Sequence, residues 1–135
     1  MEDVYIIGIG FDRDTLVSHG IFPKWDFQKS LHVTLAYKPG EDIVKTFEFG
    51  REIEVEVSGE GFFEDQNQGL FVKILDEDVK CCNAVQHLTV SINSEAGAKS
   101  VNTKFMTLTK PHRFVIHGRI MWMDHSYQHH YTSPV

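Results

Sequence analysis

Two short segments of this sequence place a histidine two positions before a threonine, with an aliphatic residue after each: His32-Val33-Thr34-Leu35 and His87-Leu88-Thr89-Val90. In an extended strand, side chains two positions apart point to the same face of the sheet. The histidine and threonine of each segment would therefore share one face, while the aliphatic residues enter a core. Two such strands side by side would bring two imidazoles and two hydroxyls together.

This combination of side chains suits a small anion such as a phosphate. An imidazole has an ordinary pKa of ~6.5, so near neutral pH one ring can accept a proton while the other donates one. Hydroxyls can donate hydrogen bonds to the oxygens on which charge builds up in the transition state. We therefore take His32 and His87 as candidate catalytic residues, and Thr34 and Thr89 as candidate phosphate-binding residues. The sequence leaves open which histidine is the base and which is the acid.

The elements that position these segments are predicted to be mostly strands. Apolar alternation and apolar runs predict strands at residues 4–10, 31–38, 52–58, 70–75, 86–92 and 114–123. Short helices are predicted at 14–19 and 41–47, with a third leading out of the loop at 93–100 towards residue 108. The fold class predicted is α+β, with mainly antiparallel sheets. We expect one domain over residues 1–123 and a polar, flexible tail at 124–135.

Composition and charge narrow the class of protein. The chain has 135 residues, of which 41% are hydrophobic and 24% charged, as expected for one globular domain with its own core. No stretch approaches the ~20 apolar residues of a membrane span, so no membrane partner is expected. The two cysteines, Cys81 and Cys82, are adjacent, which argues against a disulfide framework and favours the cytoplasm, with the nucleus as an alternative. A net charge of −6 disfavours binding to long nucleic acid, but a short phosphorylated substrate remains compatible, and we expect a monomer.

Further residues are candidates for substrate binding. Trp25 and Tyr37 could stack on a nucleobase. Lys38 and Lys99 could add positive charge near a phosphate, Lys38 on the same strand face as the first histidine if that strand persists so far. Ser91 extends the polar face of the second strand. No metal site is expected in the histidine-rich tail, because the only cysteines are adjacent and far from it, and no cofactor is expected.

The paired histidine–threonine motifs resemble those of the 2H phosphoesterase superfamily. The opening strand Tyr5-Ile6-Ile7-Gly8-Ile9, the position of Trp25 before the first motif, and Ala98-Lys99-Ser100-Val101-Asn102 after the second are similar to the cyclic phosphodiesterase domain of fungal-type tRNA ligases. The resemblance covers residues 4–123, and its specificity rests mostly on the two motifs. The chain departs from the family in its short helices and in Ser91, where a small residue such as glycine is expected.

This resemblance implies a bilobal α+β fold around a central cleft. It also implies a metal-independent phosphodiesterase that hydrolyses 2′,3′-cyclic phosphates, at RNA 3′ ends or in small cyclic nucleotides, to 2′-phosphates. The two motif histidines would be the general base and general acid.

Three other functions remain open at this point. A 2′–5′ phosphodiesterase acting on 2′,5′-oligoadenylates would use the same four residues. A non-catalytic binder of phosphorylated RNA ends would keep the site without turnover. A small α+β interaction domain would carry the motifs by coincidence.

Overall fold

The computed structural model describes residues 3–82 and 85–135, and its regular elements are mainly strands. In chain order, they are β1 (Ile6–Phe11), α1 (Arg13–Val17), β2 (Leu31–Tyr37), α2 (Glu41–Val44), β3 (Glu52–Phe63), β4 (Asn67–Ile74), β5 (His87–Ile92), two short 3₁₀ helices (Ser94–Ala96 and Ser100–Phe105), β6 (Thr107–Met123) and β7 (His129–His130).

The strands form an antiparallel sheet that closes on itself. Their order is β1-β2-β5-β4-β3-β6-β7, and β1 also pairs with β6, so the first six strands in this order make a ring. The seam between β2 and β5 is narrow, with a single pair at Val33 and Leu88, whereas β3 pairs along most of its length with both β4 and β6. The observed architecture is therefore a six-stranded antiparallel barrel with β7 added at the edge of β6.

Residue alternation along the strands explains the core of this barrel. In β2, Leu31, Val33 and Leu35 are buried, while His32 and Thr34 on the other face are only half-buried. The predicted alternation at 52–58 is equally clear in β3, where Ile53, Val55 and Val57 enter the same core. Each buried aliphatic side chain contributes about 1.5–3 kcal/mol of burial free energy. Burial therefore selects the register that leaves the polar residues of β2 outside the core.

The helices are few and short, in agreement with the predicted α+β class. The α-helices have five and four residues, and the helix expected to lead to residue 108 is replaced by two 3₁₀ helices. Most of the core therefore comes from sheet faces. Within the described part of the chain, no helix is long and apolar enough to cross a bilayer.

Three strands are longer than predicted, and the first of these, β4, begins at Asn67 rather than at Leu70. β3 continues from Ser58 to Phe63, and β6 begins at Thr107 rather than at Phe114. Residues 107–111 are exposed, so they carry no apolar alternation that would reveal a strand. Register shifts on both sides of Gly59 let β3 and β6 stay paired past Pro111.

The tail after residue 123 was expected to be loose, but part of it is an ordered strand. His129 and His130 of β7 pair with Met123 and Trp122 of β6. The ring of His130 stacks on that of Trp122 with centroids 4.0 Å apart, and the Trp122 indole N–H donates to the Thr132 carbonyl at 2.8 Å. The tail has no aliphatic alternation. The sequence therefore contains no pattern that would predict its attachment to the sheet by ring stacking and strand pairing.

Candidate active site

The two histidine–threonine segments are neighbours in the sheet. β2 and β5 run antiparallel with Val33 opposite Leu88. This register places His32 across from Thr89, and Thr34 across from His87. The two histidines are then diagonal neighbours, whose Cβ atoms are expected about 7–8 Å apart. The structure therefore brings together the four side chains that the sequence singled out.

These four residues line one open cleft of about 1280 Å³. Most of the other lining residues come from two segments, 24–30 and 92–104, and the rest are Tyr5, Ile6, Tyr37, Cys82, Met123 and Tyr127. A cleft that encloses a drug-sized molecule typically has a volume of about 300–1,000 Å³. The space here is larger than a mononucleotide needs.

His87 is oriented by a backbone carbonyl. Its Nδ1 lies 2.8 Å from the Val85 oxygen, and because a carbonyl can only accept, Nδ1 must carry the hydrogen. Nε2 is then the nitrogen left for a substrate. Burial lowers the pKa of His87 below 6.5; the backbone bond at Val85 acts in the opposite direction, and the Lys104 charge lowers it further.

His32 is held by a hydroxyl. Its Nδ1 lies 2.8 Å from Ser30 Oγ, which leaves its Nε2 for the cleft. Burial lowers the pKa of His32 to about 4, with a further contribution from His129 and a smaller one from His87, while the backbone of Ser30 acts in the opposite direction. His32 is therefore a neutral ring at neutral pH.

Thr89 is anchored by buried polar side chains. Its Oγ1 hydrogen-bonds to Oγ1 of Thr103 at 2.9 Å, and Thr103 also accepts from Asn67 Nδ2 at 3.0 Å. Asn67 and Thr103 are fully buried. A Cβ at Gly69 would lie 2.4 Å from Thr103 Cγ2, so glycine makes room for this contact. Thr103 is 14 residues from Thr89 and was not recognised from the sequence.

The rim of the cleft is more cationic than the protein as a whole. Lys24, Lys29, Lys99 and Lys104 line it, against two acidic residues, Asp26 and Glu95. The chain carries a net charge of −6, so positive charge is concentrated at this cleft. A local excess of positive charge attracts a phosphate to the cleft, while the rest of the negatively charged surface still repels long polyanions.

Aromatic side chains also line the cleft. Trp25 and Tyr37, both predicted candidates, are among them, and Tyr37 is 56% exposed. Tyr37 packs edge-on against Tyr5 with centroids 5.5 Å apart, and the Lys24 ammonium lies 5.0 Å from the Trp25 ring. Exposed aromatic faces of this kind are suited to stacking on nucleobases.

Two predicted candidates lie outside the cleft lining. β2 ends at Tyr37, and Lys38 takes a left-handed backbone conformation with φ of 45°, so it does not continue the face of His32. Ser91 is buried, because the chain at Phe27 crosses over it and pairs with it.

Ser91 has a structural part in the site instead. Its hydroxyl donates to Gln68 Oε1 at 2.6 Å, and the same oxygen accepts from the Lys24 backbone N–H at 2.8 Å. The Trp25 N–H donates to Ser91 Oγ at 3.4 Å. Ser91 therefore helps to hold the segment that carries Trp25 against the sheet. Lys99, in contrast, lines the cleft.

The comparisons with known proteins give one structural relative. The fold is similar to that of a fungal RNA kinase crystal structure, with a TM-score of 0.59 over 87% of this chain and 42% of that chain, at 14% sequence identity. This chain therefore spans less than half of the length of that protein, and at this identity the likeness concerns the fold alone. No protein-family model matches the sequence, and no curated protein matches it.

The chemistry available in the cleft is acid–base chemistry on a bound anion. Two imidazoles present Nε2, two threonine hydroxyls stand across from them, and lysines surround the group. Among residues 3–82 and 85–135, no three histidine, cysteine, aspartate or glutamate side chains are grouped to hold a metal ion.

Proposed function

We propose that the protein is a phosphodiesterase that opens 2′,3′-cyclic phosphates at RNA 3′ ends, leaving a 2′-phosphate. The observation that carries this proposal is the antiparallel pairing of the two motifs, which sets each histidine across from the other motif's threonine in one cleft. The fold likeness to a fungal RNA kinase supports RNA as the substrate polymer. The bilobal 2H arrangement and the 2H type of chemistry belong to this proposal as well.

His32 is the general base in this proposal and His87 the general acid. A water molecule attacks phosphorus in line with the P–O3′ bond and gives a proton to His32 Nε2. The new P–O bond forms as the P–O3′ bond breaks, and His87 Nε2 gives its proton to O3′. The carbonyl of Val85 favours a protonated His87, whereas the neighbouring His129 disfavours a protonated His32. Environments that separate two pKa values in this way indicate which group is acid and which is base.

The remaining groups stabilise negative charge on the phosphate. Thr34 donates a hydrogen bond to a non-bridging oxygen, and Thr89 does the same once the Thr103 hydroxyl turns to donate to it instead of accepting from it. Lys99 and Lys104 supply positive charge from the rim. Each of these groups contributes without taking part in proton transfer, and the mechanism requires no metal ion.

The cleft favours an oligonucleotide end over a mononucleotide. Its volume of about 1280 Å³ leaves room beyond one nucleotide, and the exposed Tyr37 and the half-buried Trp25 can each stack on a base. Base–aromatic stacking contributes about 1–3 kcal/mol per base.

The test is hydrolysis of the four nucleoside 2′,3′-cyclic monophosphates, and of a short RNA ending in a 2′,3′-cyclic phosphate, in excess chelator. We expect turnover of both classes with 2′-phosphate as the product, and a lower KM for the RNA. Chromatography that resolves 2′- from 3′-phosphates gives the result. Binding without product would identify a binder, and activity that disappears with chelator would overturn the metal-independent mechanism.

The same cleft volume also accommodates a 2′–5′ linkage between two adenosines, which makes a 2′–5′ phosphodiesterase the second candidate. A 2′,5′-oligoadenylate in the same panel separates the two functions. Cleavage of that substrate with no opening of cyclic phosphates would replace the first proposal by the second.

The pH dependence of kcat/KM follows from the assignment of base and acid. The base His32 must be neutral, and its pKa is about 4, so the rate falls below that pH. The acid His87 must be protonated, and its pKa lies below 6.5. The rate therefore falls as the pH rises through the pKa of His87. We therefore expect a bell-shaped profile with its maximum on the acidic side of pH 6.5. A maximum above pH 7.5 would contradict the assignment.

A further inference from the structure

We propose that Ser30 and His129 form a hydrogen-bonded relay behind His32, which fixes the hydrogen of His32 on Nδ1 and leaves Nε2 free to take a proton. The catalytic consequence rests on the function proposed above; the hydrogen-bond arrangement does not. Ser30 and His129 are positioning residues, because neither acts on the substrate in this mechanism.

The relay is a short chain of polar atoms leading away from the cleft. Ser30 Oγ lies 2.8 Å from His32 Nδ1 and 2.5 Å from His129 Nε2. His129 Nδ1 lies 3.3 Å from the Tyr131 hydroxyl. Ser30 is 99 residues from His129 in the sequence and is buried, so the relay is a feature of the tertiary structure.

The single hydrogen of the Ser30 hydroxyl makes the relay directional. Ser30 can donate to only one of the two imidazoles, and the other must donate to it. If Ser30 donates to His129, the His32 hydrogen is on Nδ1 and its Nε2 is bare, as a base requires. If Ser30 donates to His32, the hydrogen is on Nε2, and His32 must change tautomer, at the cost of about one hydrogen bond, before it can act as the base.

The electrostatics favour the first of these two directions. Burial lowers the pKa of His129, with Asp12 acting in the opposite direction and His130 in the same direction, so at neutral pH the ring is neutral and its Nε2 is able to accept from Ser30. The backbone of Ser30 favours a protonated His32. This backbone contact therefore acts in the same sense as donation from His32 to Ser30.

The fold makes specific room for the His129 ring. A Cβ at Gly10 would lie 2.8 Å from His129 Nδ1 and 3.1 Å from Cε1, so β1 has no side chain where this ring lies. Backbone pairing with Met123 holds His129 at the edge of β6. The neighbouring His130 does not join the relay: it stacks on Trp122 and bonds to Asp124 at 2.9 Å.

The relay has the same effect on His32 as the Val85 carbonyl has on His87. In both cases an acceptor holds Nδ1–H, and Nε2 is presented to the cleft. When His32 takes a proton from water at Nε2, its Nδ1–H bond to Ser30 is already made, so no hydrogen has to move. Holding one tautomer by a partner on the second nitrogen is how a base histidine is kept ready.

The first test is the tautomer of His32 by ¹⁵N NMR of the ring nitrogens in the ligand-free protein at pH 7, with His32→Gln to assign its signals. We expect hydrogen on Nδ1 in the wild type and in Ser30→Thr, which keeps the hydroxyl. In His129→Phe, Ser30 loses its acceptor and turns to His32, so the hydrogen moves to Nε2. The matched control is His130→Phe on the same strand, which leaves the His32 tautomer unchanged.

The second readout is turnover of the cyclic phosphates. We expect His129→Phe to lower kcat about tenfold, the effect of one neutral hydrogen bond, with KM changed by less than about twofold. A wild-type hydrogen on Nε2, or an unchanged tautomer in His129→Phe, would overturn the relay. So would an equal loss of kcat in His130→Phe, because the loss would then come from the tail's attachment. The expected tautomer shift with no turnover by the wild type would support the relay and overturn the proposed function.

Discussion

Replacing either His32 or His87 by alanine is expected to lower kcat by about 100-fold or more. Each variant removes one of the two groups that move a proton in the transition state, and general acid or base catalysis contributes about 10²–10⁴-fold. The two changes act on different steps of proton transfer. His32→Ala leaves water without a base, and His87→Ala leaves O3′ without an acid. Single-turnover hydrolysis of a cyclic phosphate RNA measures the loss.

A matched control is available outside the cleft. His117 is an exposed histidine that bonds to Glu52 at 3.1 Å and does not line the cleft. His117→Ala should therefore retain wild-type kcat. A near-wild-type rate in His32→Ala or His87→Ala, with the fold intact by circular dichroism, would show that the two-histidine mechanism is wrong. Unchanged binding of a 2′-phosphate product would locate the loss in the chemical step.

Acid is expected to destabilise the fold, in large part through His32. The pKa of this ring is about 4 in the folded protein and ~6.5 in an unfolded chain. Between these values the unfolded chain binds a proton that the folded chain does not, so stability falls as pH falls from 6.5 towards 4. The difference corresponds to about 3 kcal/mol for the whole interval. Above pH 6.5 His32 makes no pH-dependent contribution.

Urea unfolding at pH 7.5 and at pH 4.5 measures this loss. His87 and His129 also have lowered pKa values, so part of the slope remains after His32 is changed. His32→Gln should therefore lose less stability than the wild type over this range. An equal loss in His32→Gln and the wild type would show that His32 is not held neutral by the fold.

The strands and the candidate catalytic residues were readable from the sequence, because both depend on local periodicity. Alternation of aliphatic and polar residues predicted the strand character and the buried faces of β2 and β3. The same period of two put a histidine and a threonine on one face in each motif. The predicted short helices and α+β class agree with the structure because the sequence has no long helical period.

The positions of Lys38 and Ser91, and the full length of β6, depend on where the chain bends and on which segment covers a strand. Lys38 follows the strand period, but the backbone turns at that residue, so it leaves the cleft. Ser91 also follows the period, but a segment more than 60 residues away covers it. Residues 107–113 extend β6 along β3, where most of their side chains are exposed, so this part of the strand has no apolar pattern.

The sequence by itself determined the two motifs and the faces they occupy, since side-chain direction in a strand follows from the local backbone. Only the tertiary structure decided that β2 and β5 pair with Val33 opposite Leu88, which sets each histidine across from the other motif's threonine. It also decided that the tail returns to place His129 against Ser30. The pairing register of β2 with β5 and the return of the C-terminal tail to the sheet depend on burying the whole core at once. No local pattern of residues encodes that requirement, which is why Ser30 and His129 were found only in the folded protein.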